Sequence, residues 1–115
     1  MELLSRGRRI MNFLDQRTSA DLGLGLAESE ILIRAVGAPS GATTMSELAR
    51  QSGLTQSGLS RVVDRLEARS LVSCQPSVTD RRQRLVLVTD RGTDLARDLL
   101  DLLEVASREV LGEQL

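Results

Sequence analysis

The sequence predicts one mainly α-helical domain that carries a small β-hairpin, and three observations support this. Apolar side chains recur at helical spacing over most of the chain, two short runs rich in leucine and valine flank an arginine-rich loop, and glycines or prolines mark the joints between segments. With 115 residues, 41% of them hydrophobic, the chain suffices for a single packed core.

Leu3, Leu4, Ile10, Met11, Phe13 and Leu14 place an amphipathic helix over roughly the first seventeen positions, and Gly23 and Gly25 end the linker that follows. A second helix is expected from about Ala27 to Val36, burying Ile31, Leu32, Ala35 and Val36, until the stretch from Gly37 to Gly41 breaks it. Thr44 to Glu47 has the S/T-x-x-E form of a capping box, in which hydroxyl and carboxylate satisfy exposed amides reciprocally. The short helix it opens turns Met45, Leu48 and Ala49 inward, and Gly53 suits the left-handed residue of a sharp turn.

Thr55 then caps another helix, where Leu59, Val62, Val63 and Leu66 form a buried stripe. Its outer side carries Gln56, Ser57, Ser60, Arg61, Asp64 and Arg65. Strands are expected at Leu71 to Gln75 and Arg84 to Val88, joined by a loop from Pro76 to Gln83. Thr89 caps a final helix with two apolar stripes, one of Leu95, Leu99, Leu102, Ala106 and Val110, the other of Leu100, Leu103 and Leu111. That is more apolar surface than one small domain needs.

Composition narrows the function classes. The chain lacks histidine and has a single cysteine, Cys74, which removes the commonest general base and the usual zinc ligands and excludes an internal disulfide. No carboxylate pair and no glycine-rich phosphate loop stands out, so neither an enzyme nor a bound metal or cofactor is expected. No apolar run approaches the roughly 20 residues that cross a bilayer, and Arg6, Arg8 and Arg9 interrupt any signal-peptide core, so a cytoplasmic protein without a membrane partner is expected.

The formal net charge is −1, yet the charges are segregated. Arg50, Arg61, Arg65, Arg69, Arg81, Arg82 and Arg84 outweigh Asp64, Glu67 and Asp80 in the centre, whereas acidic residues dominate from Asp90 onward. Every basic side chain is arginine, whose planar fork suits phosphate and guanine edges. With Phe13 the one aromatic residue, there is no stacking platform for single strands, and duplex DNA is the better partner.

Two short helices joined by a glycine turn, then a hairpin with an arginine-rich loop, make the layout of a winged helix-turn-helix. The segment MSELARQSGLTQSGLSRVVDRLEARSLV followed by DRRQRLVLVTDRG resembles the MarR family of bacterial transcription regulators, and the likeness extends back to LGLAESEIL, covering about residues 22–100. The resemblance implies that Gln56, Ser57, Ser60 and Arg61 sit on the recognition helix facing the major groove, with Arg65 a basic residue one turn on. It also implies that Asp80 and Arg82 are the D-x-R signature of the wing, the arginine entering the minor groove and the aspartate orienting it, with Arg81 and Arg84 on phosphates. Thr44 and Thr55 start helices whose amides favour anions, although capping alone accounts for both.

Residues 1–22 and 91–115 resemble the family's dimerisation helices, flanking a DNA-binding domain at 23–90. Leu3, Ile10, Leu14, Leu95, Leu99, Leu102, Leu103, Ala106 and Val110 are the candidate contacts of a homodimer. The expectation is a dimeric repressor on a pseudo-palindromic operator; the alternative is a protein-interaction module that kept the fold and lost the DNA. Family members continue into a further helix beyond the position of Leu115, which implies a small interface here. Ser70 stands where the family has glycine, a strain if that position needs positive φ. The resemblance leaves room for a small-molecule effector without nominating its pocket, and Cys74 is expected to be a packed, inert thiol.

Overall fold

The computed structural model describes residues 23–77 and 83–112, with the side chains of Ala106 and of 110–112 left out. The helix expected at the N-terminus, with Leu3, Ile10 and Leu14, therefore lies outside the described residues, as do Asp80, Arg81 and Arg82 and the side chains of Ala106 and Val110. The elements run α1 (Leu26–Val36), a 3-10 turn (Pro39–Gly41), β1 (Ala42–Thr44), α2 (Met45–Ser52), α3 (Gln56–Ala68), β2 (Val72–Pro76), β3 (Arg84–Val88) and α4 (Asp90–Gly112). This is the mainly helical winged helix-turn-helix that the sequence predicts.

The helices begin where their caps dictate. Thr44 accepts the Glu47 N–H at 3.1 Å, Thr55 accepts that of Gly58 at 3.1 Å, and Thr89 accepts that of Gly92 at 3.0 Å. Gly53 takes the left-handed conformation, φ 73°, that separates α2 from α3. Only half of the expected capping box forms, however. The Glu47 carboxylate receives Arg50 and Gln51 instead of returning to the start of its helix, because side chains three and four positions along lie beside it on the same face.

Apolar stripes from each helix meet in one core of Leu24, Ile31, Leu32, Leu48, Leu59, Val62, Val63, Leu66, Leu71, Val72, Val86, Ala96 and Leu99. Val36, expected to be buried, packs half-exposed at its edge. On α4, Leu99 is wholly buried in this core, Leu95 packs against it, and Leu102 and Leu103 are half-buried. Leu100, from the second stripe, and Val105, from neither, remain exposed at 50% and 43%, so α4 does carry apolar surface beyond what the core buries.

The sheet has three strands where the sequence suggests two. Ala42, Thr43 and Thr44 pair antiparallel with Leu87, Val86 and Leu85, giving the order β1-β3-β2. Three residues are too few to display the alternation by which a strand is recognised, and Thr44 serves both as the last rung and as a helix cap. In the hairpin, Val72 to Pro76 pair with Val88 to Arg84, and the Ser77 N–H donates to the Gln83 carbonyl at 2.9 Å.

A compact junction joins α3, the hairpin and α4. Ser70 adopts φ 62°, the left-handed conformation that serine reaches only with strain, and turns the chain from α3 into β2. The Thr89 hydroxyl donates to the carbonyls of Ser70 and Leu71 at 2.6 and 3.1 Å, and the Thr89 N–H also donates to Leu71, at 3.1 Å. Over this junction passes Gly92, where a Cβ would stand 2.0 Å from the Leu71 carbonyl oxygen. Gly92→Ala should therefore lower stability by about 3 kcal/mol in urea denaturation, since backbone, not a flexible tip, is in the way. Ser70→Gly should act oppositely and raise it by about 0.5–1 kcal/mol through relief of strain; a lowered midpoint would show that the serine conformation is not strained.

Candidate nucleic-acid interface

Helix α3 has a core face and, because the chain turns about 100° per residue, three further sides. Leu59, Val62, Val63 and Leu66 hold it against the core. Opposite them Ser57, Arg61, Asp64 and Ala68 project outward, all exposed. Gln56, Ser60 and Glu67 fall on one flank, Arg65 and Arg69 on the other.

The first flank meets the hairpin. Gln56 and Ser60 line a recess of about 170 Å³ together with Met45, Ser46, Gln83 and Arg84, so polar atoms of α3 and the guanidinium at the root of the wing share one concave surface. Further along, Glu67 accepts the Cys74 N–H at 2.8 Å and fastens α3 to β2. Burial pushes the Cys74 thiol up from its ordinary pKa, reinforced by the Glu67 carboxylate, which disfavours the thiolate.

The second flank meets the start of α1. Arg65 donates to Glu28 at 2.9 Å, and Arg69 donates to the Gly23 carbonyl at 2.8 Å. Arg65, expected on the outer side of the helix, is thus turned toward a carboxylate of another element. Neither Glu28 nor Glu67 stood out in the sequence: each acts on a residue that no local pattern connects to it.

Of the expected contact residues, Gln56, Ser60 and Arg84 are brought together, Ser57 and Arg61 lie beside them on the outer line, and Thr55 stands at the helix start, where its hydroxyl holds the cap. Arg61 and Arg84 are exposed and make no ion pair among the described residues. Arg50, by contrast, is bound to Glu47, whose pKa that hydrogen bond lowers. Two uncommitted guanidiniums beside a row of hydroxyl and amide groups match what duplex DNA presents, phosphates flanking base edges rich in donors and acceptors.

No group of His, Cys, Asp or Glu among the described residues could hold a metal ion, and no described helix is long and apolar enough to cross a membrane.

Comparison with known proteins gives the same reading of the fold. The MarR family model matches residues 22–83. A MarR family transcriptional regulator from Streptomyces coelicolor, solved in complex with DNA, superposes with a TM-score of 0.90 over 99% of this chain and 71% of its own, at 24% identity. A MarR family regulator from a Rhodococcus species reaches 0.84 over 93% and 74%, at 26% identity. CouR from Rhodococcus jostii, solved with p-coumaroyl-CoA bound, reaches 0.81 over 93% and 73%, at 25% identity. Members of that family are transcription regulators, not enzymes. With its family model matched over more than half its length and the three-stranded winged domain in place, the chain belongs to the MarR family of transcriptional regulators.

Proposed function

We propose that this regulator binds a pseudo-palindromic operator in duplex DNA as a homodimer and represses transcription from it. In this reading residues 23–90 form the DNA-binding domain, and 1–22 with 91–115 form the dimerisation region. Helix α3 enters the major groove, where Gln56, Ser57, Ser60 and Arg61 meet base edges and Thr55 lies near a phosphate. Arg84 and Arg81 bind the backbone, while Arg82, oriented by Asp80, enters the adjacent minor groove. The observation that carries the proposal is the recess shared by Gln56, Ser60 and Arg84, since it presents helix and wing to one stretch of polyanion. Leu100 and Val105, exposed along α4, supply apolar surface for the second protomer, and pairing two recognition helices one helical turn apart lets them read two half-sites.

An effector fits the same reading. A groove of about 330 Å³ between α1 and α4 is walled by Leu26, Ile33, Leu99 and Leu103, with Arg34 at its edge. The Arg34 Nε is buried and has no hydrogen-bond partner among the described residues, while its NH2 is held by Glu30 at 3.2 Å. An apolar body bearing an anionic group would satisfy both, and p-coumaroyl-CoA, bound by CouR, combines an aromatic ring with phosphates.

Fluorescence anisotropy with DNA from upstream of the gene, repeated at several salt concentrations, tests the proposal. Binding should weaken steeply with salt and saturate at two protomers per operator. Arg61→Ala should cost about 1–3 kcal/mol and relax preference at one base pair, whereas Arg82→Ala should weaken every sequence alike. A flat salt dependence would favour the rival reading, an interaction module without DNA. In thermal-shift assays aromatic carboxylates and their acyl-CoA thioesters should raise the wild-type midpoint and leave that of Arg34→Met unchanged; indifference of the wild type removes the effector from the proposal.

A further inference from the structure

The flank of α3 that faces away from the wing carries its own construction. Arg65 and Arg69 border a recess of about 320 Å³ whose other walls are Gly23, Leu24, Glu28 and Ala68. The Arg65 side chain is 63% exposed, yet its NH1 is held 2.9 Å from Glu28, whose own side chain is only 14% exposed. Glu28 is folded back against the start of α1: a Cβ on Gly25 would lie 2.6 Å from its Oε2. The glycine thus leaves room for the carboxylate, and the carboxylate fixes the guanidinium.

Resting on the DNA-binding reading above, we propose that this recess receives a backbone phosphate of the operator, and that Glu28 is a positioning residue that aims Arg65 at it. Arginine offers five N–H donors in a rigid fork. Spending one of them on Glu28 leaves the others to meet a phosphate oxygen, with the rotamer already chosen before DNA arrives. Arg69 bounds the other side, its NH1 held by the Gly23 carbonyl. The arrangement has the logic expected of the wing, a carboxylate orienting an arginine, repeated about 80° around α3 from Ser57. Helix α3 would then be gripped on both sides of the major groove, by Arg84 on one strand and Arg65 on the other.

The sign of one substitution distinguishes positioning from simple charge. Removing an acid beside a polyanion should, by Coulomb attraction alone, tighten binding. Positioning predicts the reverse: Glu28→Ala binds operator about five- to tenfold more weakly, and its salt slope falls by about 1, as for a lost phosphate contact. Glu28→Gln, which keeps an acceptor for Arg65, recovers most of the affinity. Arg65→Ala shows the same loss, and the double variant Glu28→Ala/Arg65→Ala loses no more than either single one. Gly25→Ala, which crowds the carboxylate without removing it, weakens binding in the same direction, and thermal midpoints measured in parallel separate loss of fold from loss of contact. Equal or tighter binding by Glu28→Ala, with an unchanged or steeper salt slope, overturns the inference while leaving the wild-type DNA binding intact. A wild type that binds no DNA overturns both.

Discussion

The relation between α3 and the wing depends on the close approach of backbone to backbone at the Leu71 carbonyl. That oxygen accepts the Thr89 N–H and shares the Thr89 hydroxyl with Ser70, and it lies where any side chain on Gly92 would have to stand. Three elements therefore meet within one turn of chain: the end of α3, the two ends of the hairpin, and the first turn of α4. A single threonine joins them: its hydroxyl reaches both carbonyls, its N–H donates to one of them, and the same hydroxyl caps the next helix. The position of the wing follows from this junction, because β2 leaves it and β3 returns to it. The strained Ser70 is tolerated because its surroundings fix the turn from both sides.

With its end anchored there, α3 is secured along its length by two carboxylates, one on each flank. Glu67 holds the Cys74 amide on the wing side, and Glu28 holds Arg65 on the α1 side. The first is a hydrogen bond to a backbone amide, and the second is an ion pair whose arginine is largely exposed and which contributes little to stability; their value lies in geometry, fixing α3 against β2 and choosing the Arg65 rotamer. Arg61 and Arg84 have no carboxylate partners among the described residues, so in the proposed complex a polyanion would engage them at no cost in broken pairs. The chain's slight excess of negative charge is no obstacle, since the acids of α4 lie on another element and their repulsion of a polyanion falls off within about a Debye length, roughly 10 Å.

What was legible in the sequence is what local spacing encodes. The stripe from Leu59 to Leu66, the caps at Thr44, Thr55 and Thr89, and the turn at Gly53 are each decided within a few residues, and each appears where periodicity and capping rules place it. The positive φ of Ser70 was anticipated by likeness to a family with glycine there, not by spacing. Strand β1 was missed because its identity resides in its partner β3, and the return arm of the capping box failed because Arg50 and Gln51 compete for Glu47. The Glu28–Arg65 pair joins residues 37 positions apart and leaves no trace in any window of sequence. Leu99 shows the converse limit: one apolar stripe looks the same whether it faces its own core or a second chain, and the fold buries Leu99 in its own.

The central claim is that recognition helix and wing, fixed to one another through this junction, engage neighbouring grooves of the same duplex together. Dimethyl sulfate protection on a bound operator tests it in one reaction, because the reagent methylates guanine N7 in the major groove and adenine N3 in the minor groove. The account predicts that both kinds of site are protected, in adjacent grooves on one face of the helix and repeated about 10 base pairs away. Protection confined to a single groove, or grooves protected on opposite faces, would contradict it.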